Sequence, residues 1–390
     1  MNEKQALFYH DFYATDFSAT VLSCNKLNNA YEIILDKTLF YPEGGGQPGD
    51  VGSLNEIAVI DTYYSEDNIV HKTYNPIEPG TTVAGKINWN LRYKRMQSHS
   101  GEHIISGIIF KKYGFNNVGF HMNDNFITID YDGKIPKDDI KILEIEFNNI
   151  IAKNLPIQKI EYANPKDCNI MYRSKKEINT TLKIINIPEV DSCACCGTHV
   201  NTTSEINLIH IISHNYYKSG TRIEVVIGLT AIEYIINTEN ILNSSAMLLS
   251  APKLEIESYI KDIISNNNNN IFELNRRIRQ LCDIILLGSK IIDDVLVINL
   301  IDLGNDGINY VSTKIKEDAK IIFVYSDKYF FIKVNHENSI PIIDEIKKSN
   351  FINGGGRLNY LRGELKIDVS KFISFLHDLI ITFDRRFIWN

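Results

Sequence analysis

The stretch MQSHSGEHIISG, residues 96–107, lies inside a run of good helix formers from Leu91 to Tyr113, with Gly114 placed as a C-cap. Met96, His99, His103, Gly107 and Phe110 step by 3, 4, 4 and 3. The spacing predicts one inward helical face that carries both histidines. A second stretch, DSCACCGTHV at 191–200, packs three of the chain's six cysteines and a histidine into seven positions. Cys195 and His199 repeat the interval of four. Imidazoles at i and i+4 of a helix project together. A thiolate joined to imidazoles is a zinc-type donor set. Neither pair is specific alone. Together, 195 − 103 = 92 positions apart, they predict one metal site from His99, His103, Cys195 and His199. Cys193 and Cys196 are rivals for the thiolate role, and a cysteine-rich redox site is the competing reading. Gly197 is read as the residue that permits a tight turn between Cys195 and His199.

Strand signals precede the helix. YEIILDKTLFY (31–41), EIAVIDTYYS (56–65) and NIVHKTY (68–74) read as short strands, and YPEGGGQPGDVG (41–52) as a long glycine and proline turn. Residues 1–90 are therefore expected to form a small β-barrel or sandwich. Beyond the helix, NFITIDYD, INLIHIISHNYY and TRIEVVIG read as strands, and KDDIKILEIEFNNIIAKN and TAIEYIINTENIL as helices, an α+β pattern. Residues 252–290 read as a long helix. Ile260, Ile264, Ile271, Leu274, Ile278, Leu281 and Ile285 keep one heptad register, with Asn267 in the remaining slot. That seam fits a coiled coil or helical hairpin, or an amphipathic helix packed on its own domain. From about 291 a separate α/β domain is expected: strands at VLVINLI, KIIFVYS and YFFIKVN, helices at PIIDEIKKS and VSKFISFLHDLIITF, and INGGGRLNYLRGEL between the helices.

Composition sets outer bounds. The 390 residues are 44% hydrophobic and 23% charged, ordinary globular values with length for two or three domains. No apolar run of about 18 residues suggests a membrane span. The opening residues lack the core of a signal peptide, so the cytosol is the expected compartment. There thiols stay reduced, and clustered cysteines indicate metal or redox chemistry rather than disulfides. Cys24, Cys168 and Cys282 stand alone and read as small buried hydrophobes. Net charge, 41 − 48 = −7, argues against unspecific nucleic-acid binding but leaves room for local basic patches such as NLRYKRMQSH and MYRSKKEI.

The combination of motifs resembles a known family. H-x3-H followed by C-x-G-T-H, with FYPEGGGQPGD upstream and SGTRIEVVIG at 219–228, is similar to the editing domain of alanyl-tRNA synthetases and to its free-standing relatives, the AlaX-type alanyl-tRNA editing proteins. The likeness runs through about 1–235. NGGGR at 353–357 resembles the glycine-rich motif of the DHHA1-type domain at the C-terminus of the longer members. The family usually reads C-G-G-T-H, and this chain has Cys196 in the second position.

The resemblance implies an α+β fold in four parts: a β-barrel-like domain with the glycine-rich motif (1–90), a zinc-containing editing domain (91–240), a helical linker or coiled coil (241–290) and a DHHA1-like domain (291–390). It implies one zinc ion on His99, His103, Cys195 and His199, and hydrolysis of tRNA(Ala) mischarged with serine or glycine. The sequence leaves open whether zinc activates water or orients the substrate. The chain lacks the early region of an aminoacylation core and shows no class II synthetase motif. Thr38, Glu43 and Gln47 are the candidate catalytic residues: Thr38 to contact a seryl hydroxyl, Gln47 to bond substrate or water or to tie down its loop, Glu43 as a base or a solvated carboxylate. Gly44, Gly45 and Gly46 can bring backbone N–H groups close to a ligand. For tRNA the candidates are Gly354, Gly355, Gly356, Arg357 and Arg222, with Lys347, Lys348 and Arg362 nearby. Arg222 can equally pin the fold through a carboxylate, and His121 is read as a structural histidine or a neighbour of the pocket. A homodimer through the C-terminal region is the expected assembly. Two other functions stand beside this one: a non-catalytic tRNA-binding protein that keeps the fold, and a deacylase for another mischarged tRNA such as Ser-tRNA(Thr).

Overall fold

Six short strands with inward apolar residues close on themselves in the computed structural model, which describes residues 5–174, 177–178, 181–316 and 318–386. They are β1 (Asp16–Leu27), β2 (Ala30–Leu35), β3 (Gly52–Leu54), β4 (Ile57–Ser65), β5 (Asn68–Thr73) and β6 (Thr82–Ile87). The order is β1-β2-β5-β4-β3-β6, and β6 pairs back onto β1, so the barrel has no open edge. Val21, Ile33, Phe40, Leu54, Val59 and Val83 fill it. The strand expected over 31–41 stops at Leu35. Beyond it the Thr38 hydroxyl takes the Phe40 N–H, and Asp50 takes the Tyr41 N–H, so the backbone bonds to side chains instead of a ladder.

The predicted helix follows directly as α1 (Trp89–Tyr113). Asn88 caps its start by accepting from the Leu91 N–H, and Gly114 ends it at φ +73°. One detail differs from the expected single inward face. Every residue from Arg95 to Ile109 is buried, whereas Phe110 is 39% exposed. The helix is the centre of its unit and not one wall of it, and its outward end turns Phe110 to solvent.

Around α1 lie β7 (Asn117–Met122), β8 (Ile127–Tyr131), α2 (Ile140–Ala152), β9 (Gln158–Tyr162), β10 (Leu182–Ile187), β11 (Asp191–Ala194), β12 (Ile209–Tyr217) and β13 (Gly220–Ile227). They form a four-stranded sheet, β12-β13-β8-β7, and a three-stranded one, β11-β10-β9. Ile104, Ile105, Ile108, Ile129, Phe147, Ile187, Val200 and Ile227 share the core. The helix α3 (Leu229–Leu249) comes next. The chain divides into two compact units at Ser244/Ser245.

In the second unit α4 (Ile256–Gly288) is the expected long helix. The seam residues Ile278 and Ile285 pack onto a core with Leu296, Ile298, Ile308 and Val324, as an ordinary amphipathic helix does. Its earlier seam residues Ile260, Ile264, Ile271 and Leu274 are about half exposed. The sheet runs β14-β15-β16-β17-β19-β18, from β14 (Ile291–Ile292), β15 (Val295–Asn299), β16 (Ile321–Ser326), β17 (Tyr329–Val334), β18 (Ile352–Gly355) and β19 (Tyr360–Leu365). Its one parallel pair, β15 on β16, is joined through α5 (Gly304–Lys314). Then α6 (Ser339–Lys348) and α7 (Val369–Arg386) complete the unit. INGGGRLNYLRGEL, read only as a segment between helices, is the β18–β19 hairpin. Among the described residues no helix is long and apolar enough to cross a membrane.

Arg92, on the first turn of α1, is fully buried. Its Nε lies 2.9 Å from both Asp50 oxygens, Nη1 donates to Phe12 O at 3.0 Å and Nη2 to Leu39 O at 2.7 Å. Asp50 in turn accepts the Tyr41 N–H at 2.6 Å. Removing one charge strands the other in a dry site, at about 3–5 kcal/mol. Asp50→Asn is therefore expected to lower stability by that amount, read as a fall in the urea midpoint of the first unit. A midpoint equal to wild type would show that the pair is not needed.

Candidate metal centre

A helix buried on all sides must find a partner for each polar side chain, and α1 does so residue by residue. Arg95 donates to Gly49 O and to Asp124, and Gln97 to Glu205 O. Glu102 accepts from Ser106 and Asn117. His99 Nδ1 meets Gln47 Oε1 at 2.8 Å, and His103 Nδ1 meets Asp191 Oδ2 at 2.9 Å. Both partners are acceptors, so each Nδ1 carries a proton and each Nε2 is the atom turned toward the cluster. His199 Nδ1 lies 3.2 Å from the Ser100 hydroxyl, which also accepts the Val200 N–H.

The free ends of the three rings converge. Cys195 Sγ stands 3.4 Å from His99 Nε2 and 3.4 Å from His199 Nε2. His103 Nε2 is buried with no hydrogen-bond partner. One donor atom from each of His99, His103, Cys195 and His199 lies within 4.8 Å of every other. A tetrahedral ion with the usual zinc bond lengths separates sulfur from nitrogen by about 3.6 Å. The spacing fits such an ion, and the orphaned His103 nitrogen has no other use. The electrostatics agree. Burial would push the Cys195 thiol up, but His99 and His199 hold it well below its ordinary value. Burial would lower His103, yet Asp191 and Cys195 hold it well above the usual histidine range. Burial, with His99 beside it, drops His199 to about 4. The pocket keeps a thiolate and demands a positive charge beside it.

Two loops bring the halves together. Gly197 has close neighbours: a Cβ there would stand 2.2 Å from the His99 ring and 3.1 Å from Gln47 Oε1. Its smallness serves this contact more than the turn foreseen. Gln47 is fully buried; its amide N–H donates to Thr198 Oγ1 at 2.8 Å, and its carbonyl accepts from His99 and from the Thr198 N–H. The glycine loop is thus tied to the cysteine loop through one amide. Gly46, at φ +87°, seats against Phe120, and its carbonyl accepts the Met122 N–H.

A second group, His103, Asp191 and Cys193, also lies within ligand range. There Asp191 is already committed: Arg173 grips it through Nε at 2.8 Å and Nη2 at 2.9 Å while it holds His103. Burial pushes the Cys193 thiol up to about 11, against the opposite direction at Cys195. Cys196 is exposed, and its thiol too is raised. Of the isolated cysteines, Cys282 is buried, whereas Cys24 and Cys168 are only partly so.

The other candidates make contacts of their own. Thr38 is 2% exposed inside the barrel. Its hydroxyl is 2.8 Å from His71 Nε2, and His71 Nδ1 faces Ile33 O at 3.1 Å. A carbonyl only accepts, so His71 carries its proton on Nδ1 and Thr38 donates to Nε2. With the Phe40 N–H also bonded, one acceptor lone pair of Thr38 remains. Glu43 is exposed on the glycine loop, its own N–H on Thr62 O. His121 is exposed on β7. Arg222 forks onto Asp130, at 2.6 and 2.7 Å, and lies over the Tyr217 ring at 3.9 Å, the pinning arrangement. In the second unit Gly354 pairs with Gly363, and a Cβ on Gly354 or Gly356 would strike backbone oxygen. Gly355 faces open space, and Arg357 is exposed. Lys347 donates to Gly356 O, Lys348 to Glu345, and Arg362 to Asn309 and Ser312. Lys175 and Lys176 of the basic stretch lie outside the described residues.

Sequence reasoning missed Asp191, Ser100 and Arg173. Asp191 opens the quoted cysteine stretch, and Ser100 follows His99 directly, so both were in view. What betrays them is the second nitrogen of each imidazole, which always needs a partner.

Comparison with known proteins bears on this geometry. Residues 182–224, which hold the cysteine loop, β12 and the first part of β13, match the family described as the threonyl and alanyl tRNA synthetase second additional domain. Residues 4–91 match the family described as class II (A) tRNA synthetases. The matching stretch is the one that folds as the barrel. Along the chain, the alanyl-tRNA editing protein AlaX-L of Pyrococcus horikoshii is 28% identical over 93% of this chain and 95% of its own length. The alanyl-tRNA editing protein Aarsd1-B of Xenopus laevis is 30% identical over 64% of this chain and 65% of its own. The alanine–tRNA ligase of Methanococcus maripaludis is 26% identical over 96% of this chain but only 44% of the ligase. The fold and site thus stand in a chain whose sequence is similar, along almost its whole length, to an alanyl-tRNA editing protein. More particularly, it is a relative of the AlaX-type alanyl-tRNA editing proteins.

Metal titration separates the ligands from their neighbours. Cobalt(II) bound to the wild-type cluster is expected to give a thiolate charge-transfer band. Cys195→Ala should abolish it and Cys196→Gly should keep it. Gly197→Ala, which drives a methyl into the His99 ring, should weaken binding about 10–100-fold. A band lost with Cys196 and kept without Cys195 would move the thiolate role.

Proposed function

We propose that this chain is a zinc-dependent hydrolase that deacylates tRNA(Ala) mischarged with serine, or with glycine, and so corrects another enzyme's errors in the cytosol. The carrying observation is the convergence of His99, His103, Cys195 and His199 in a chain similar to editing proteins along its length. The reaction is ester hydrolysis: water attacks the acyl carbon, the bond to the ribose oxygen breaks, and free amino acid and tRNA leave. Bound by these four side chains, zinc supplies a Lewis acid.

The chain's own residues supply order. Gln47, Asp191 and Ser100 fix the three rings, so Gln47 acts as a positioning residue and not as a substrate contact. Thr38 keeps one acceptor site, which suits a seryl hydroxyl and offers an alanyl methyl nothing. Such a difference is needed because a pocket sized for alanine cannot strongly reject an analogue that adds a hydroxyl. Glu43, exposed on its loop, remains a candidate base. For tRNA, the open face of Gly355 and the exposed Arg357 support contact with the phosphate backbone. Arg222, held by Asp130, supports that role less. The four-part division at 90, 240 and 290 is part of this reading. So is a homodimer through the C-terminal region, for which the exposed seam of α4 speaks.

A panel of mischarged tRNAs tests the reading. Ser-tRNA(Ala) should be hydrolysed and Ala-tRNA(Ala) spared. A chelator should stop the reaction and added zinc restore it. No hydrolysis by the zinc-loaded protein would leave the non-catalytic binding function, and preference for Ser-tRNA(Thr) would transfer the substrate. Within the panel, Thr38→Val should narrow the seryl-to-alanyl ratio of kcat/KM about tenfold, the worth of one hydrogen bond. An unaltered ratio would remove Thr38 from the selectivity.

A further inference from the structure

The hydrogen bonds of Thr38 can be counted to the last lone pair, and the count runs through His71. The His71 ring is fully buried in the barrel, on β5 between Ile33 of β2 and Thr62 of β4. Thr62 spends its hydroxyl proton on Asp50 O at 2.8 Å. Phe40 stands edge-on to the imidazole, with centroids 5.2 Å apart and planes at 85°. Nδ1 faces Ile33 O at 3.1 Å, and Nε2 faces the Thr38 hydroxyl at 2.8 Å. Burial drops His71 to about 4, so near neutral pH the ring carries one proton. A carbonyl can only accept, so that proton sits on Nδ1 and Nε2 must accept.

This tautomer decides what Thr38 can do. A hydroxyl has one proton and two lone pairs. The proton goes to His71, one lone pair takes the Phe40 N–H at 3.1 Å, and one lone pair is left. Thr38 is only 2% exposed, so water does not stand in for a missing partner. It is an acceptor with no proton to give. A group brought against it must carry a donor, whereas a second acceptor would set lone pair against lone pair.

We propose that His71 is a positioning residue for selectivity: by holding the Thr38 proton, it makes the subsite admit acyl groups with a donor on the β-carbon and refuse those with an acceptor alone. The proposal rests on the reading of Thr38 as the contact for a seryl hydroxyl. It adds that size and polarity are not enough, because the substituent must own a proton. Fluorine is close to a hydroxyl in size and lacks that proton. A 3-fluoroalanyl ester therefore belongs with the alanyl ester and not with the seryl one.

The test compares kcat/KM of the zinc-loaded full chain on Ser-tRNA(Ala) and 3-fluoroalanyl-tRNA(Ala). Wild type should favour the seryl ester about tenfold, the worth of one hydrogen bond. His71→Leu leaves the Thr38 proton free to turn toward the substrate, and the ratio should fall to near parity. His71→Gln can donate its amide N–H to Ile33 O and accept the Thr38 proton on its carbonyl, so it should restore the wild-type ratio. A merely structural histidine would alter both esters alike. Parity in wild type, or a wild-type ratio in His71→Leu, would overturn the proposal. If His71→Leu fails to fold, nitrogen NMR of the wild-type ring decides, and a protonated Nε2 would overturn it. A ratio that moves with Thr38→Val but not with His71→Leu would sink this proposal and leave the Thr38 reading standing. If wild type hydrolyses no ester, the deacylase reading falls alone. Calorimetry with free L-serine and 3-fluoro-L-alanine then decides, and equal binding of the two by wild type would overturn the role of His71.

Discussion

Three imidazole nitrogens and a thiolate aimed at one point repel one another unless a cation lies between them. The protein forces this arrangement by making every alternative unavailable. The second nitrogen of His99 is spent on Gln47, that of His103 on Asp191, and that of His199 on Ser100. Each imidazole is thereby clamped at its far edge and its near edge cannot turn away. The rest of the first unit can be read as support for those clamps. The glycine loop delivers Gln47, β11 delivers Asp191 at its first residue, and α1 itself delivers Ser100 between its two histidines.

Burial makes the clamps rigid. Buried side chains occupy defined rotamers and cannot trade a hydrogen bond for water. From Arg95 to Ile109 no residue of α1 reaches solvent, which is unusual for a segment so rich in serine, histidine and charge. Apart from Arg95 Nε and the cluster-facing His103 Nε2, its buried polar side-chain atoms are held by protein, and neighbouring clamps share members. Asp191 joins His103 to Arg173; Gln47 joins His99 to Thr198. A change at one member reaches the cluster through geometry even where it touches no ligand.

Much of this was legible from residue spacing. The helix, its glycine cap and its paired histidines follow from the periodicity of 91–114, and alternation marked β4, β5, β8 and β13. Alternation failed where partners replaced pattern. Residues 36–41 look like a strand, yet the N–H groups of Phe40 and Tyr41 bond side chains of Thr38 and Asp50. The glycine run of 354–356 looks like a loop, yet Gly354 is glycine so that β18 and β19 can lie backbone to backbone. Phe110 continued the inward stepping by arithmetic, but the surrounding elements end before it. The four convergent side chains were nameable because their intervals are local. Asp191, Ser100 and Arg173 were not, because a hydrogen bond across 88 positions, such as His103 to Asp191, leaves no local period.

The guanidinium of Arg92 gathers three segments of chain that precede it, through Phe12, Leu39 and Asp50, seven residues before the first histidine. A domain exchanged between relatives at the barrel–helix junction would have to bring a matching knot with it. Inheritance should therefore treat the barrel and the histidine helix as one cassette, with the seam for recombination lying further along the chain.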